Sequence, residues 1–148
     1  MANTGFDWTD YQGLGSEDDP SGAIVDYKLN LNGTVTSEEI SLDILAGCEI
    51  GIECTYDAAV QAAGTGTSIY VLKRVKPGGE GSGNFETIGD GAWGVMLAFT
   101  ASSTHRKVFS VSPATTGSFK IIVINTNSTP GISYVSLYYR TADVPAAS

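Results

Sequence analysis

Basic side chains are scarce in this chain: 8 Lys and Arg stand against 16 Asp and Glu in 148 residues, a formal net charge of -8. Proteins that grip a phosphate backbone do so largely through Lys and Arg that displace condensed counterions, so nucleic acid is not the expected partner. Histidine occurs once, at His105, and cysteine twice, at Cys48 and Cys54, too few and too scattered for a zinc site. No apolar run approaches the roughly 18 residues that cross a bilayer. Met1 to Gly15 has neither a basic n-region nor an apolar core, so no signal peptide is expected. These absences lead us to expect no membrane span, and a protein that is either cytoplasmic or leaves its cell by some route other than secretion.

What is present is alternation. In Cys48 to Tyr56 the apolar set is Cys48, Ile50, Ile52, Cys54 and Tyr56, while Glu49, Glu53 and Thr55 fall on the other parity, as does Asp57 beyond them. A period of two marks a strand with one buried face. Eight or nine such stretches, separated by Gly, Ser, Thr and Pro, run from Ala23 to Thr141 with almost no helical pattern. Strands at this spacing imply an all-β, antiparallel β-sandwich, jelly-roll or immunoglobulin-like. At 148 residues a single domain removes roughly 70% of its unfolded surface from water, so no staple is required. We divide the chain into an extended N-terminal arm, 1–22, a sandwich domain, 23–141, and a small-residue tail, 142–148.

Particular segments carry finer expectations. Ala23, Val25, Tyr27, Leu29 and Leu31 read as an inward face ending at a hairpin turn, Asn32-Gly33. A further strand starts at Thr34 or Ile40, with Ile40, Leu42 and Ile44 inward. Asp57 to Ala63 could form a helical turn. Ile69, Val71 and Val75 mark a strand ending in a basic tip, Lys73, Arg74 and Lys76. Pro77 to Asn84 is an exposed Gly/Ser loop, and Phe85 to Ile88 a short strand. Trp93 to Phe99 is apolar on both parities, which suggests a central position with Trp93 in the core. Phe119 to Ile124 reads as a core strand and Ile132 to Tyr139 as the last one.

The two cysteines lie about 20 Å apart if their strand is unbroken. A disulfide requires roughly 4.4 to 6.8 Å, so two reduced, buried thiols are expected. Charge is also unevenly placed: up to Gly66 twelve acids face Lys28 alone, and afterwards seven bases face four acids, giving -11 and +3, which sum to -8. Either the two parts interleave and neutralise each other, or an acidic edge of one subunit meets a basic edge of another.

No catalytic constellation emerges. His105, between Ser102, Ser103, Thr104 and Arg106, reads as a polar hairpin tip rather than a nucleophile's base. Glu49 and Glu53 would stand about 13 Å apart on one strand face, beyond the roughly 5 to 9.5 Å of glycoside hydrolysis. Glu17, Asp18 and Asp19 lack the alternating spacing of a calcium loop, and Gly78, Gly79, Gly81 and Gly83 open no phosphate-binding helix. We expect no enzyme and no cofactor. The arm, however, carries Phe6, Trp8, Tyr11 and Leu14, too much apolar area for a mobile tail: it either folds back on its own sandwich or docks on another chain.

The passage Gly117-Ser118-Phe119-Lys120-Ile121-Ile122-Val123-Ile124-Asn125-Thr126-Asn127, a short turn, and Ile132 to Thr141 resemble the closing strand pair of small β-sandwich virion structural proteins of tailed bacteriophages. The resemblance spans about residues 68–141 and carries no diagnostic motif. It implies a capsid decoration (cement) protein, made in the host cytoplasm and located on the virion surface. Such a protein is a homotrimer and binds the major capsid protein or another virion protein. The partner-binding residues expected on that reading are Phe6, Trp8, Tyr11 and Leu14 as anchors, with Lys73, Arg74 and Lys76 complementing an acidic neighbour. A tail or neck position is the related alternative. A carbohydrate-binding module using Trp93, Tyr134 and Tyr138 is the unrelated one.

Overall fold

The computed structural model describes residues 7–19, 21–30, 32–42, 47–57, 66–79, 81–98, 102–111, 118–126 and 132–143. Within these the strands are β1 (Asp7–Trp8), β2 (Gln12–Gly13), β3 (Tyr27–Leu29), β4 (Thr34–Thr36), β5 (Ile40–Ser41), β6 (Gly47–Tyr56), β7 (Gly66–Lys73), β8 (Trp93–Ala98), β9 (Thr104–Val111), β10 (Ser118–Asn125) and β11 (Ser133–Asp143). Two short 3₁₀ turns, Ser82–Asn84 and Ile88–Asp90, are the helical segments among the described residues.

One antiparallel sheet runs β9-β6-β11, with β1, β2 and β3 end to end along the far side of β11. The other runs β8-β7-β10, with β4 and β5 along β10. From β6 onward the chain alternates between them: first, second, second, first, second, first. That order, β3-β11-β6-β9 facing β4-β10-β7-β8, is the jelly-roll arrangement of interlocked Greek keys. An immunoglobulin-like order would pair several sequence neighbours within a sheet; here β7 and β8 alone do so among the described strands.

The strongest sequence pattern makes the most central strand. In β6 burial alternates without a break, and Cys48, Ile50, Ile52, Cys54 and Tyr56 all face the second sheet. They meet Ile69 and Val71 of β7 and Phe119, Ile121 and Val123 of β10, with Val135 and Leu137 beside them on β11. Both thiols are free and buried. Burial, with a smaller contribution from the Glu49 charge, pushes the Cys48 thiol up to about 12. At one end of the core the Thr67 hydroxyl sits 3.4 Å from Cys54 Sγ, 3.0 Å from the Tyr56 hydroxyl and 3.1 Å from Ser133 Oγ. Buried polar atoms are tolerated there because they satisfy one another.

Several local expectations need correction. The inward parity from Ala23 to Leu29 breaks: Ile24 and Leu29 are buried, whereas Val25 and Tyr27 are exposed. Asp26 causes the slip, with φ at 50° and its N–H donated to Ser136 Oγ at 2.9 Å. Asn32-Gly33 is a turn, with Asn32 at φ 58°, but it carries the chain from one sheet to the other and so closes no hairpin. Phe85 makes only an isolated bridge to Arg74. His105 lies within β9, opposite Cys54, and is therefore no hairpin tip. Val75 lies beyond the end of β7 and is exposed. β11 continues through Ala142, which is buried, and Asp143, so the strand passes the expected tail boundary. Ile44, the turn at 57–63 and Phe99 fall wholly or largely outside the described residues.

The largest correction concerns β8. It is an edge strand, paired only with β7 among the described residues. Trp93 keeps its inward parity, opposite Val71, but the sheet ends there, so the indole closes the side of the sandwich against Phe109 and stays 48% exposed.

Candidate binding surfaces

The outer face of the first sheet is built in cross-strand rows. Partners across an antiparallel ladder point to the same side, so residues of β11, β6 and β9 stand in ranks: Arg140, Glu49 and Ser110; Tyr138, Gly51 and Val108; Ser136, Glu53 and Arg106; Tyr134, Thr55 and Thr104. The first and third ranks hold charge pairs, Arg140 to Glu49 at 2.8 Å and Arg106 to Glu53 at 2.8 Å. The rank between them has no side chain at its centre. Tyr11, Tyr138, Val108, Gly51, Ile52, Glu53, Arg106 and Lys107 border the resulting groove of about 330 Å³.

The arm lies along this sheet. β1 pairs with Ala142 and Asp143, β2 pairs with Tyr138 and Tyr139, and Leu14 donates its backbone N–H to the Leu137 carbonyl at 3.0 Å. Arg140 is stacked between two arm rings, 4.5 Å from the Trp8 centroid and 4.8 Å from that of Tyr11, while Tyr11 donates its hydroxyl to Glu49 at 3.4 Å. The rings rather than an acceptor surround Arg140 Nε, which is buried with no hydrogen-bond partner. Residues 7–19 thus fold back on their own sandwich.

The candidates named from sequence separate accordingly. Trp8 and Tyr11 remain surface residues, half-engaged with Arg140. Leu14 is fully buried and belongs to the core. Phe6 lies outside the described residues. Arg74 is turned inward, bound by Glu39 at 2.7 and 2.8 Å and stacked on Phe85 at 4.7 Å. The Arg74 hydrogen bonds are the main reason the Glu39 carboxyl titrates below its ordinary range. Lys120, buried on the outer face of β10, reaches the same Phe85 ring at 4.6 Å and Glu17 at 2.8 Å. Of the basic tip, Lys73 is half-buried and Lys76 exposed. Four ion pairs, Glu17–Lys120, Glu39–Arg74, Glu49–Arg140 and Glu53–Arg106, each join the acidic first part of the chain to the basic second part. The two parts interleave.

Residues considered for catalysis are held elsewhere. Ser103 Oγ is 3.4 Å from His105 Nε2, and the imidazole packs edge-on against Tyr56 with centroids 5.5 Å apart. Glu49 and Glu53 are both tied to guanidinium groups. Sequence reasoning missed the Gly51 groove because its walls come from Tyr11 of the arm and from β9 and β11. The available signal was a glycine in the middle of an otherwise ideal strand.

No protein-family model and no curated protein matches the chain. Solved structures with a similar fold include "Family 16 Carbohydrate Binding Module-2", at 15% identity and TM-score 0.47, covering 88% of this chain and 89% of that one. The VP2 subviral particle of infectious bursal disease virus is similar at 11% identity and TM-score 0.49, over 94% of this chain and 33% of the VP2 chain. Carbohydrate-binding module CBM36, solved in complex with calcium and xylotriose, is similar at 15% identity and TM-score 0.40, covering 92% of each chain. The chain's own strand pairing makes it an antiparallel β-sandwich, and none of its described helices is long and apolar enough to cross a membrane.

Proposed function

We propose that this chain is a non-enzymatic virion structural protein, a capsid decoration (cement) protein that assembles as a trimer and binds the outer shell through the major capsid protein. The supporting observation is the margin formed by β8 and β9. Each of these strands has one neighbour among the described residues, and Trp93 and Met96 stand exposed beside the unpaired backbone. A strand edge with apolar side chains is a template for another chain, and exposed apolar surface of this kind marks contact sites in native proteins. Weak contacts suffice when several subunits engage a lattice at once, because each rebinding is then intramolecular.

The experiment is sedimentation of the purified protein, followed by co-sedimentation with emptied capsids. A trimer retained on the particles at a fixed ratio to shell subunits supports the reading. A monomer, or a trimer that washes off the shell, overturns it.

A further inference from the structure

Glycine in a strand interior weakens it, and Val, Ile or Thr would serve better. Some glycines here are forced: a Cβ on Gly66 would lie 2.2 Å from the Leu97 carbonyl oxygen, and one on Gly94 2.4 Å from the Tyr70 ring. Gly51 is different. Its φ is outside the left-handed region, and a Cβ there would meet Tyr11 Cε1 at 3.5 Å and Tyr138 Cβ at 3.9 Å, ordinary contact distances. Neither backbone nor packing requires glycine at this point of the most central strand. What its bare backbone provides is the floor of the groove.

We infer that this groove binds a neutral oligosaccharide, with one sugar ring seated over Gly51. The volume of about 330 Å³ falls within the range of small-ligand sites. β11 and β9 are two strand spacings apart, about 10 Å, and Tyr11 lies against Gly51, so the opening between Tyr138 and Val108 is the space beside the Tyr11 ring, toward Arg106 and Glu53. Tyr11 and Tyr138 offer apolar ring surface to the C–H faces of a pyranose. On one side stands the charge pair Arg106–Glu53, presenting donor and acceptor side by side, while on the other the Tyr11 ring, stacked on Arg140 and bonded to Glu49, walls the groove off from the second pair. Hydroxyl groups, which donate and accept, match such a pair. An aromatic hydrocarbon would leave that pair unmatched, and an anion would have to face Glu53.

The inference is independent of the proposed virion role, and its test uses the soluble chain without particles. Calorimetric titration is carried out with cellotetraose, chitotetraose and maltotetraose, and with tetragalacturonate as the anionic counterpart. At least one neutral probe should bind with a dissociation constant between about 10 μM and 1 mM. Gly51→Val, which fills the floor with a better strand former, should weaken that binding by about tenfold or more with an unchanged or higher unfolding midpoint. Tyr138→Ala should weaken it similarly. No saturable heat from any neutral probe at about 10 mM overturns the inference. So does binding that Gly51→Val leaves intact, or tighter binding of tetragalacturonate.

Discussion

Along β11 and β10 five short strands close the sandwich, three on the first sheet and two on the second. Along β8 and β9, at the opposite margin, nothing among the described residues pairs with either strand beyond its one neighbour. The closed margin is made from residues 7–41, which contribute Leu14, Ile24, Leu29, Val35 and Ile40 to the core. These residues also supply two acids, Glu17 and Glu39, that neutralise Lys120 and Arg74. Sealing an edge takes chain length and the ordering entropy of every residue laid on it. The chain meets that cost on one side and leaves a tryptophan and a methionine in water on the other. On the proposed assembly the two margins have separate roles, self-closure and contact.

The most damaging way to break the closed margin is through Leu14. It is fully buried and hydrogen-bonded to the Leu137 and Ile24 backbones. Leu14→Ala should cost about 2–5 kcal/mol in denaturant unfolding, the range for buried leucines that leave a cavity. A loss under about 1 kcal/mol would mean that the arm is an appendage and that the sandwich closes without it.

Next in size is Glu39→Gln. The carboxyl is held below its ordinary range chiefly by the Arg74 hydrogen bonds. A lowered folded pKa gives stability that is present above the ordinary carboxylate range and lost as pH falls through the folded value. The variant should therefore be about 1 kcal/mol less stable at pH 7, with a shallower acid limb, and should converge on the parent protein in acid. Parallel acid limbs in a urea series at several pH values would remove Glu39 from the closure.

How much of this contrast is legible in the sequence depends on how local its causes are. β6 and β10 could be read directly, β6 from its unbroken alternation and β10 from its continuous apolar run, because a strand with neighbours on both sides carries its burial in its own residues. Trp93 to Ala98 misled for the converse reason: its parity is correct, but being last in the sheet is a property of what lies beside it. The slip after Ile24 turns on one residue, Asp26, in a left-handed conformation that its type permits without requiring. The fold-back of residues 7–19 was open from sequence because an aromatic arm suits either its own sheet or another's. Arg140, which decides between them, sits at the far end of the chain. The Gly51 groove required three strands to be placed side by side before its gap could be seen.

Trp8→Ala probes the outer part of the closed margin. The indole is 36% exposed and stacked on Arg140 at 4.5 Å, an arrangement worth about 0.5–1 kcal/mol at a surface site. That loss should be read in thermal unfolding, with the Arg140–Glu49 pair preserved. A loss matching that of Leu14→Ala would show that ring stacking, rather than the buried leucine, anchors the arm.

The smallest stability change is expected at the open margin, where Met96→Lys should also separate stability from assembly most clearly. Met96 is 42% exposed, on the outward parity of an edge strand. A lysine there keeps an aliphatic stem over the same surface and places its charge in water, a substitution natural edges tolerate. Unfolding should move by no more than about 0.5 kcal/mol. If β8 is a contact surface, the same charge is carried into the interface without a partner, and burying it unpaired costs far more than the side chain contributes to the isolated fold. The sedimentation coefficient should therefore fall to that of a monomer while the circular dichroism spectrum stays unchanged. An assembly that survives Met96→Lys would place the contact elsewhere and leave the open margin without its assigned role.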